Sequence, residues 1–127
     1  MKTLHYFIVL SILLSSCNTG EPRIIRKHIQ KDNASIIWYY KSLIGNTTPD
    51  VIEVTKGDST KMIYKAYEAI TDVSIVNNNI VIKLFNPASE DVDTSKVLKQ
   101  IFDYNIVLDS TATWDDFGKR PFGEVER

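Results

Sequence analysis

The chain has very few of the side chains on which nucleophilic or metal-dependent chemistry depends. Its 127 residues include one cysteine, Cys17, and two histidines, His5 and His28. A single thiol excludes a disulfide within the chain and a zinc site built from several cysteines. A Ser/His/Asp triad or a multi-histidine metal site would have to be built around very few imidazoles. We therefore expect no metal and no cofactor.

Neither sign of charge is in excess. Fifteen Lys and Arg residues face sixteen Asp and Glu residues, which gives a formal net charge of −1. A nucleic-acid-binding surface needs a basic face or stripe, so we expect no nucleic-acid partner. The length leaves room for one small domain and no second core.

The one long apolar run lies at the amino terminus. Lys2 precedes an apolar segment from Leu4 to Leu14, and the small residues Ser15 and Ser16 follow it. This order of basic, apolar and small residues is typical of a secretory signal peptide. The run is shorter than the roughly 20 residues of a membrane-spanning helix. We predict a cleaved leader over residues 1–16.

The segment Leu14-Ser15-Ser16-Cys17 resembles the lipobox of bacterial lipoproteins. The resemblance covers the leader and Cys17 alone. It implies cleavage between Ser16 and Cys17, a diacylglyceryl thioether on Cys17 and acylation of the new amino terminus. Two or more acyl chains anchor a protein stably, whereas one binds only marginally. The expected location is the bacterial cell envelope, at a periplasmic or outer-membrane face.

We predict a tether over residues 17–31 and one β-rich domain over residues 32–127. The tether contains Gly20, Pro22 and a set of basic residues at positions 23, 26, 27 and 31. Two interpretations of its second half are open. The basic residues could lie against anionic headgroups, or the segment could form a first edge strand or short helix that begins near Arg23.

Short β-rich segments separated by turns predict the architecture of the domain. The predicted strands cover residues 35–44, 51–55, 60–67, 73–76, 80–85 and 105–113. Lys56-Gly57-Asp58-Ser59 and Asn77-Asn78-Asn79 have the chemistry of hairpin turns. Asp93-Thr94-Ser95 predicts the start of a helix that carries Val97, Leu98, Ile101 and Phe102. The predicted fold is all-β or β-dominated α+β: a small antiparallel sandwich or partly open barrel with one short helix.

Alternation within the strands predicts which side chains face the core. Met62, Tyr64 and Ala66 should share one face of their strand, with Lys61 and Lys65 on the other. Trp38 and Tyr40 should share a face opposite Tyr39, which makes at least one of these faces core. Ile80, Ile82 and Leu84 should point inward.

Two acidic clusters invite a catalytic or metal-binding interpretation. Glu90 to Ser95 resembles a calcium loop, but Lys96 and Phe102 stand where an EF-hand needs Gly and Glu. Helix capping explains that cluster better. Asp115 and Asp116 are adjacent, and in a strand they would point to opposite faces instead of meeting over one substrate.

Aromatic and hydroxyl residues supply the remaining candidate sites. Trp114, Phe117 and Phe122 form a candidate interface, or else fold back to cover one end of the sheet. Asp58-Ser59-Thr60 and Asp109-Ser110-Thr111 resemble an O-glycosylation signal of some Gram-negative gut bacteria, with Ser59 and Ser110 as the acceptors. A sugar there would lie on the surface.

These observations predict a lipid-anchored, non-enzymatic binding or structural module for an envelope protein or glycan, with the membrane as a partner through the lipid on Cys17. The alternative is a small envelope hydrolase that uses carboxylates such as Asp91, Asp93, Asp115 or Asp116.

Overall fold

A computed structural model describes residues 22–41, 48–85 and 98–126, which form two β-sheets packed as a sandwich. The elements are β1 (Arg23–Lys31), β2 (Ala34–Lys41), β3 (Asp50–Lys56), β4 (Ser59–Ala66), β5 (Ile70–Val76), β6 (Asn79–Phe85), β7 (Gln100–Ile101), β8 (Tyr104–Ala112), the helix α1 (Trp114–Gly118) and β9 (Glu124–Val125). The predicted β-sandwich is confirmed, and the sheets do not close into a barrel.

The first sheet has the order β4-β3-β2-β1-β9, and the second has the order β5-β6-β8-β7. All the pairs are antiparallel except β6 and β8, which are parallel. The prediction of a wholly antiparallel sandwich is therefore wrong at this pair. Parallel neighbours cannot be joined by a tight turn, and β7 lies between β6 and β8 in the chain and forms a hairpin with β8.

Strand β1 corrects the predicted boundary between tether and domain. Residues 23–31 were included in the tether, yet they pair with β2 along their length. The interpretation as a strand beginning at Arg23 is therefore the right one of the two. Its basic side chains bind other parts of the protein, as described below.

Four two-residue turns form one end of the sandwich, which we call the turn end. The first residue of each turn has a positive φ: 53° at Asp32, 60° at Gly57, 56° at Asn77 and 51° at Phe102. Such a left-handed residue gives a hairpin turn the twist of its flanking strands. The turns at Gly57 and Asn77 confirm two predicted hairpins.

The fourth turn, at Phe102, corrects the predicted helix. Gln100 and Ile101 form β7 and Phe102 opens a turn, so helical structure at positions 101 and 102 is wrong. Residues 93–97 lie outside the described residues. The helical spacing of the apolar residues was misleading. Ile101 belongs to a strand and packs in the core, while its neighbour Gln100 is exposed.

We call the opposite end of the sandwich the tether end. There β1 begins, β2 leads towards β3, β4 leads into β5, and β6 and β8 stop. The core between the sheets is made of inward side chains from both, including Trp38 with no exposed surface, and Ile80, Ile82 and Leu84 as predicted.

A β-bulge changes which side chains of β4 point towards the core. The register slips opposite Ile52 and Glu53, so that Ile63 and Tyr64 are both buried and Met62 points outward, 55% exposed. The prediction that Met62 shares a face with Tyr64 and Ala66 is therefore wrong for Met62, because one extra residue in a strand reverses the facing beyond it. No helix in the described ranges is long and apolar enough to cross a membrane.

Candidate functional site at the tether end

Three aromatic rings meet at the tether end, and we call Phe85, Trp114 and Phe117 the aromatic cluster. Phe85 ends β6, and its ring centroid lies 4.3 Å from that of Trp114 and 5.4 Å from that of Phe117. The guanidinium of Arg120 stacks on Phe117 at 3.8 Å from the ring centroid. Trp114 remains 70% exposed although it touches Phe85. The rings are tilted to one another, Trp114 standing edge-on to Phe117 at 88°, and Trp114 is the member that the cluster presents to solvent.

The short helix α1 fixes Trp114 at this position. Thr113 caps the helix: its side chain accepts a hydrogen bond from the Asp116 backbone, and the Asp116 carboxylate accepts one from the Thr113 backbone at 2.8 Å. This reciprocal pair is a capping box. It holds the pKa of the Asp116 carboxyl below its usual value, because the Thr113 backbone N–H stabilises the charged form.

The two adjacent carboxylates therefore have structural partners. Asp115 accepts a hydrogen bond from Lys119 one turn along the helix, at 2.6 Å, while Asp116 caps the first turn. Both residues lie in α1 and not in a strand, so the argument from strand geometry does not apply to them. Asp91 and Asp93 lie outside the described residues.

The candidate interface residues do not form one patch. Trp114 and Phe117 are together, but Phe122 lies beyond α1 and is 89% exposed. Its backbone carbonyl accepts a hydrogen bond from the Tyr40 hydroxyl at 3.1 Å. Phe122 is thus held in place by its backbone while its ring points into solvent.

A buried ionic network that no sequence pattern indicated lies beneath this end. Asp50 is 3% exposed and binds the Arg26 Nε at 3.1 Å, while the Arg120 Nη1 lies 3.6 Å from its second oxygen. Burial raises the pKa of the Asp50 carboxyl in spite of both guanidiniums. Burial and the neighbouring Arg26 lower the pKa of Arg120. Charges this deep are held in place by their mutual contacts.

The carboxy-terminal segment is fastened across β1 by the same network. Arg26 Nη1 donates to the Pro121 carbonyl at 2.6 Å, and the Arg23 guanidinium binds the Glu126 carboxylate. Strand β9 adds two residue pairs to β1. These contacts place Arg120 and Phe122 at the tether end.

The other predicted residues are spread over the surface. Ser59 and Ser110 are both exposed, and their glycosylation stays a prediction. His28 lies in β1 and not in a linker, with its Nε2 at 2.7 Å from the Ser35 hydroxyl. The cleavage and lipidation residues Ser16 and Cys17 lie outside the described residues.

Within the part of the chain that the structure describes, no group of three or more His, Cys, Asp or Glu side chains is placed to hold a metal ion. Comparison of the chain with protein-family models, with curated proteins and with solved structures finds no match. The site must therefore be interpreted from its own residues.

Proposed function

We propose that this protein is a lipid-anchored binding module of the bacterial cell envelope, which captures another envelope protein or a glycan through its aromatic cluster. The observation that carries the proposal is Trp114: an indole that is 70% exposed while its backbone lies in the capped helix α1 and its ring packs on Phe85. Rigid exposed aromatics supply large contact areas at low entropic cost, and Trp is enriched among the residues that dominate binding energy.

The chemistry of the cluster supports a partly polar partner that packs on the exposed indole face of Trp114. The indole N–H offers one donor and the ring a face for stacking, while Arg120 adds positive charge behind Phe117. Sugar rings and aromatic or aliphatic protein side chains both suit such a surface.

The anchor half of the proposal rests on the Leu14-Ser15-Ser16-Cys17 segment. We expect Cys17→Ser to abolish lipidation and retention in the membrane while leaving the fold of the domain intact, because β1 begins only at Arg23. Intact mass spectrometry of protein extracted from the envelope checks the lipid, and a salt wash checks the retention. A serine variant that stays with washed membranes would contradict the anchor.

The binding half is tested by isolating the native lipidated protein with its partners and identifying them by mass spectrometry. Trp114→Ala should lose the specific partner, since truncating an aromatic anchor at a hot spot costs about 2 kcal/mol or more. Val107→Ala, at a 41% exposed position on β8, is the control and should retain it. Equal capture by both variants would remove the aromatic cluster from the function.

A further inference from the structure

The outer face of the first sheet changes character between its two ends. Strand register arranges its outward side chains in rows across β1 to β4. The row nearest the turn end is polar throughout: Gln30, Ser35, Thr55 and Thr60. The next two rows towards the tether end are His28, Ile37, Glu53 and Met62, and then Ile25, Tyr39, Val51 and Lys65. Outward apolar side chains are therefore concentrated in the half near the tether.

A depression of about 320 Å³ lies in that half, and lysines flank it. Its lining comprises Tyr39, Lys41, Thr48, Pro49, Val51, Met62 and Lys65. Met62 is 55% exposed, and the two lysines are exposed. This combination of an apolar surface with basic side chains beside it suits an anionic, amphipathic ligand.

Glu53, which lies opposite Met62 on the outer face, is held by its own partners. Glu53 accepts a hydrogen bond from the Tyr39 hydroxyl at 2.7 Å and lies 3.5 Å from the Arg23 guanidinium. Burial and the bond to Glu53 raise the pKa of Tyr39 to about 12, so the phenol is neutral at physiological pH. The positive charge of Lys41 and Lys65 is therefore not opposed by Glu53, which already binds Arg23.

The predicted lipid attachment is close to this surface. Arg23, the first residue of β1, pairs in register with Lys41. Cys17 precedes Arg23 by six residues, and a chain spans at most about 3.6 Å per residue. The acyl chains would then be attached within roughly 20 Å of the Arg23–Lys41 pair.

We propose that the tether half of this outer face docks on the anionic phospholipid headgroups of the membrane that holds the acyl chains. Lys41 and Lys65 contact the phosphates, and Met62 enters the interfacial layer. This inference rests on the lipidation of Cys17 in the proposed function. Basic side chains near an anionic bilayer each favour its surface. The second sheet lies behind the first as seen from the membrane, so the aromatic cluster beside β6 stays open to a partner.

The basic residues of β1 do not serve this role, although contact with headgroups was one of the two interpretations that the sequence left open. Arg23 and Arg26 bind Glu126 and Asp50, Lys27 binds Asp72 at 2.8 Å, and Lys31 donates to the Asn77 carbonyl. Lys41 and Lys65 replace them as the expected headgroup ligands.

Thiol accessibility tests the orientation, because lipidation of Cys17 leaves the chain without a free thiol. Met62→Cys and Thr60→Cys each introduce one, on the same strand and two residues apart. The lipidated variants are reconstituted in vesicles of phosphatidylcholine alone or with phosphatidylglycerol, and are reacted with a water-soluble maleimide. We expect slower labelling of Met62→Cys in the anionic vesicles only, and unchanged labelling of Thr60→Cys.

Removing the charges of Lys41 and Lys65 tests whether these lysines cause the docking. Each lysine near the surface favours docking about fivefold, so Lys41→Gln combined with Lys65→Gln should lower the docked-to-free ratio about twenty-five-fold. Lys83→Gln combined with Lys99→Gln, at exposed positions outside the first sheet, should leave it unchanged.

The possible failures are distinguishable. Intact mass determines lipidation first, and an unlipidated Cys17 overturns both the anchor and this proposal. Lipidated protein whose Met62→Cys labels equally fast in both vesicles overturns the docking surface alone. Protection in native envelopes that is lost in protein-free vesicles of the same lipids would assign this face to a protein partner and also overturn the proposal.

Discussion

At the turn end the chain reverses four times with two residues each, whereas at the tether end it carries longer connections, a buried ionic network and the aromatic cluster. The turns are determined locally, because each needs only one residue with a left-handed backbone followed by strands of matching twist. The tether end is held by contacts between residues far apart in sequence, such as Arg26 with Asp50 and Pro121. A substitution can therefore weaken the turn end without displacing the candidate site at the tether end, and the reverse also holds.

The largest expected effect is on the buried network. Arg26→Met removes the closest partner of Asp50 and should lower the free energy of unfolding by about 3 kcal/mol at neutral pH. Lys27→Met is the control, since the Lys27–Asp72 pair is half exposed and should contribute less than about 1 kcal/mol. Urea unfolding of both variants measures the difference.

The pH dependence of this loss has a definite sign. Burial raises the pKa of Asp50 above its unfolded value, and loss of Arg26 raises it further. The folded state then binds a proton more tightly than the unfolded state, so stability recovers as the pH falls through the raised pKa. A deficit in Arg26→Met that is the same at neutral and acid pH would contradict the role given to Asp50.

The next largest effect is expected at Gly123, which with Gly57 is one of two glycines with a positive φ among the described residues. A Cβ on Gly123 would lie 2.8 Å from Ile24 Cγ2 and 3.0 Å from the Ile25 carbonyl oxygen. Gly123→Ala should therefore detach β9 from β1 and cost about 2 kcal/mol, because strain and collision add. Hydrogen exchange at Arg23 to Ile25 should accelerate while the turn end stays protected. Uniform acceleration would mean that the two ends are not separable.

A smaller effect is expected at the turn end. Gly57 has a φ of 60° with open space around it, so Gly57→Val should cost about 1 kcal/mol from backbone strain alone. Gly57→Asn should cost less, since asparagine tolerates this conformation. Thermal unfolding of the two variants gives the comparison, and equal melting temperatures would refute the strain argument.

The same contrast explains how much of the fold could be predicted from the sequence. The hairpins at Gly57 and Asn77 were correct because turn chemistry is local. The facing of Met62 was missed because nothing in the local sequence marks the bulge at Ile63. Residues 23–31 were included in the tether with a strand left as one interpretation, because the partners that fix their basic side chains lie far away in the chain.

At the candidate site, Trp114 and Phe117 were identified from the sequence, but Phe85 and the arrangement of the three rings were not. Phe85 joins Trp114 and Phe117 from a separate strand, and the four residues 118–121 separate Phe122 from Phe117. A signal for α1 was present: Thr113 followed three residues later by Asp116 is the spacing of a capping box. No local signal marks Asp50, because its partners are 24 and 70 residues away.

The most direct test of the proposed function places one photo-crosslinking residue at either end of the sandwich. Trp114, at the tether end, and Val76, 53% exposed beside the Asn77 turn, are replaced separately by a photoreactive phenylalanine. Irradiation of intact envelopes followed by mass spectrometry identifies what each position contacts. The account predicts one defined protein or glycan adduct at position 114 and none at position 76. The same adduct at both positions, or none at position 114 in fully lipidated protein, would contradict it.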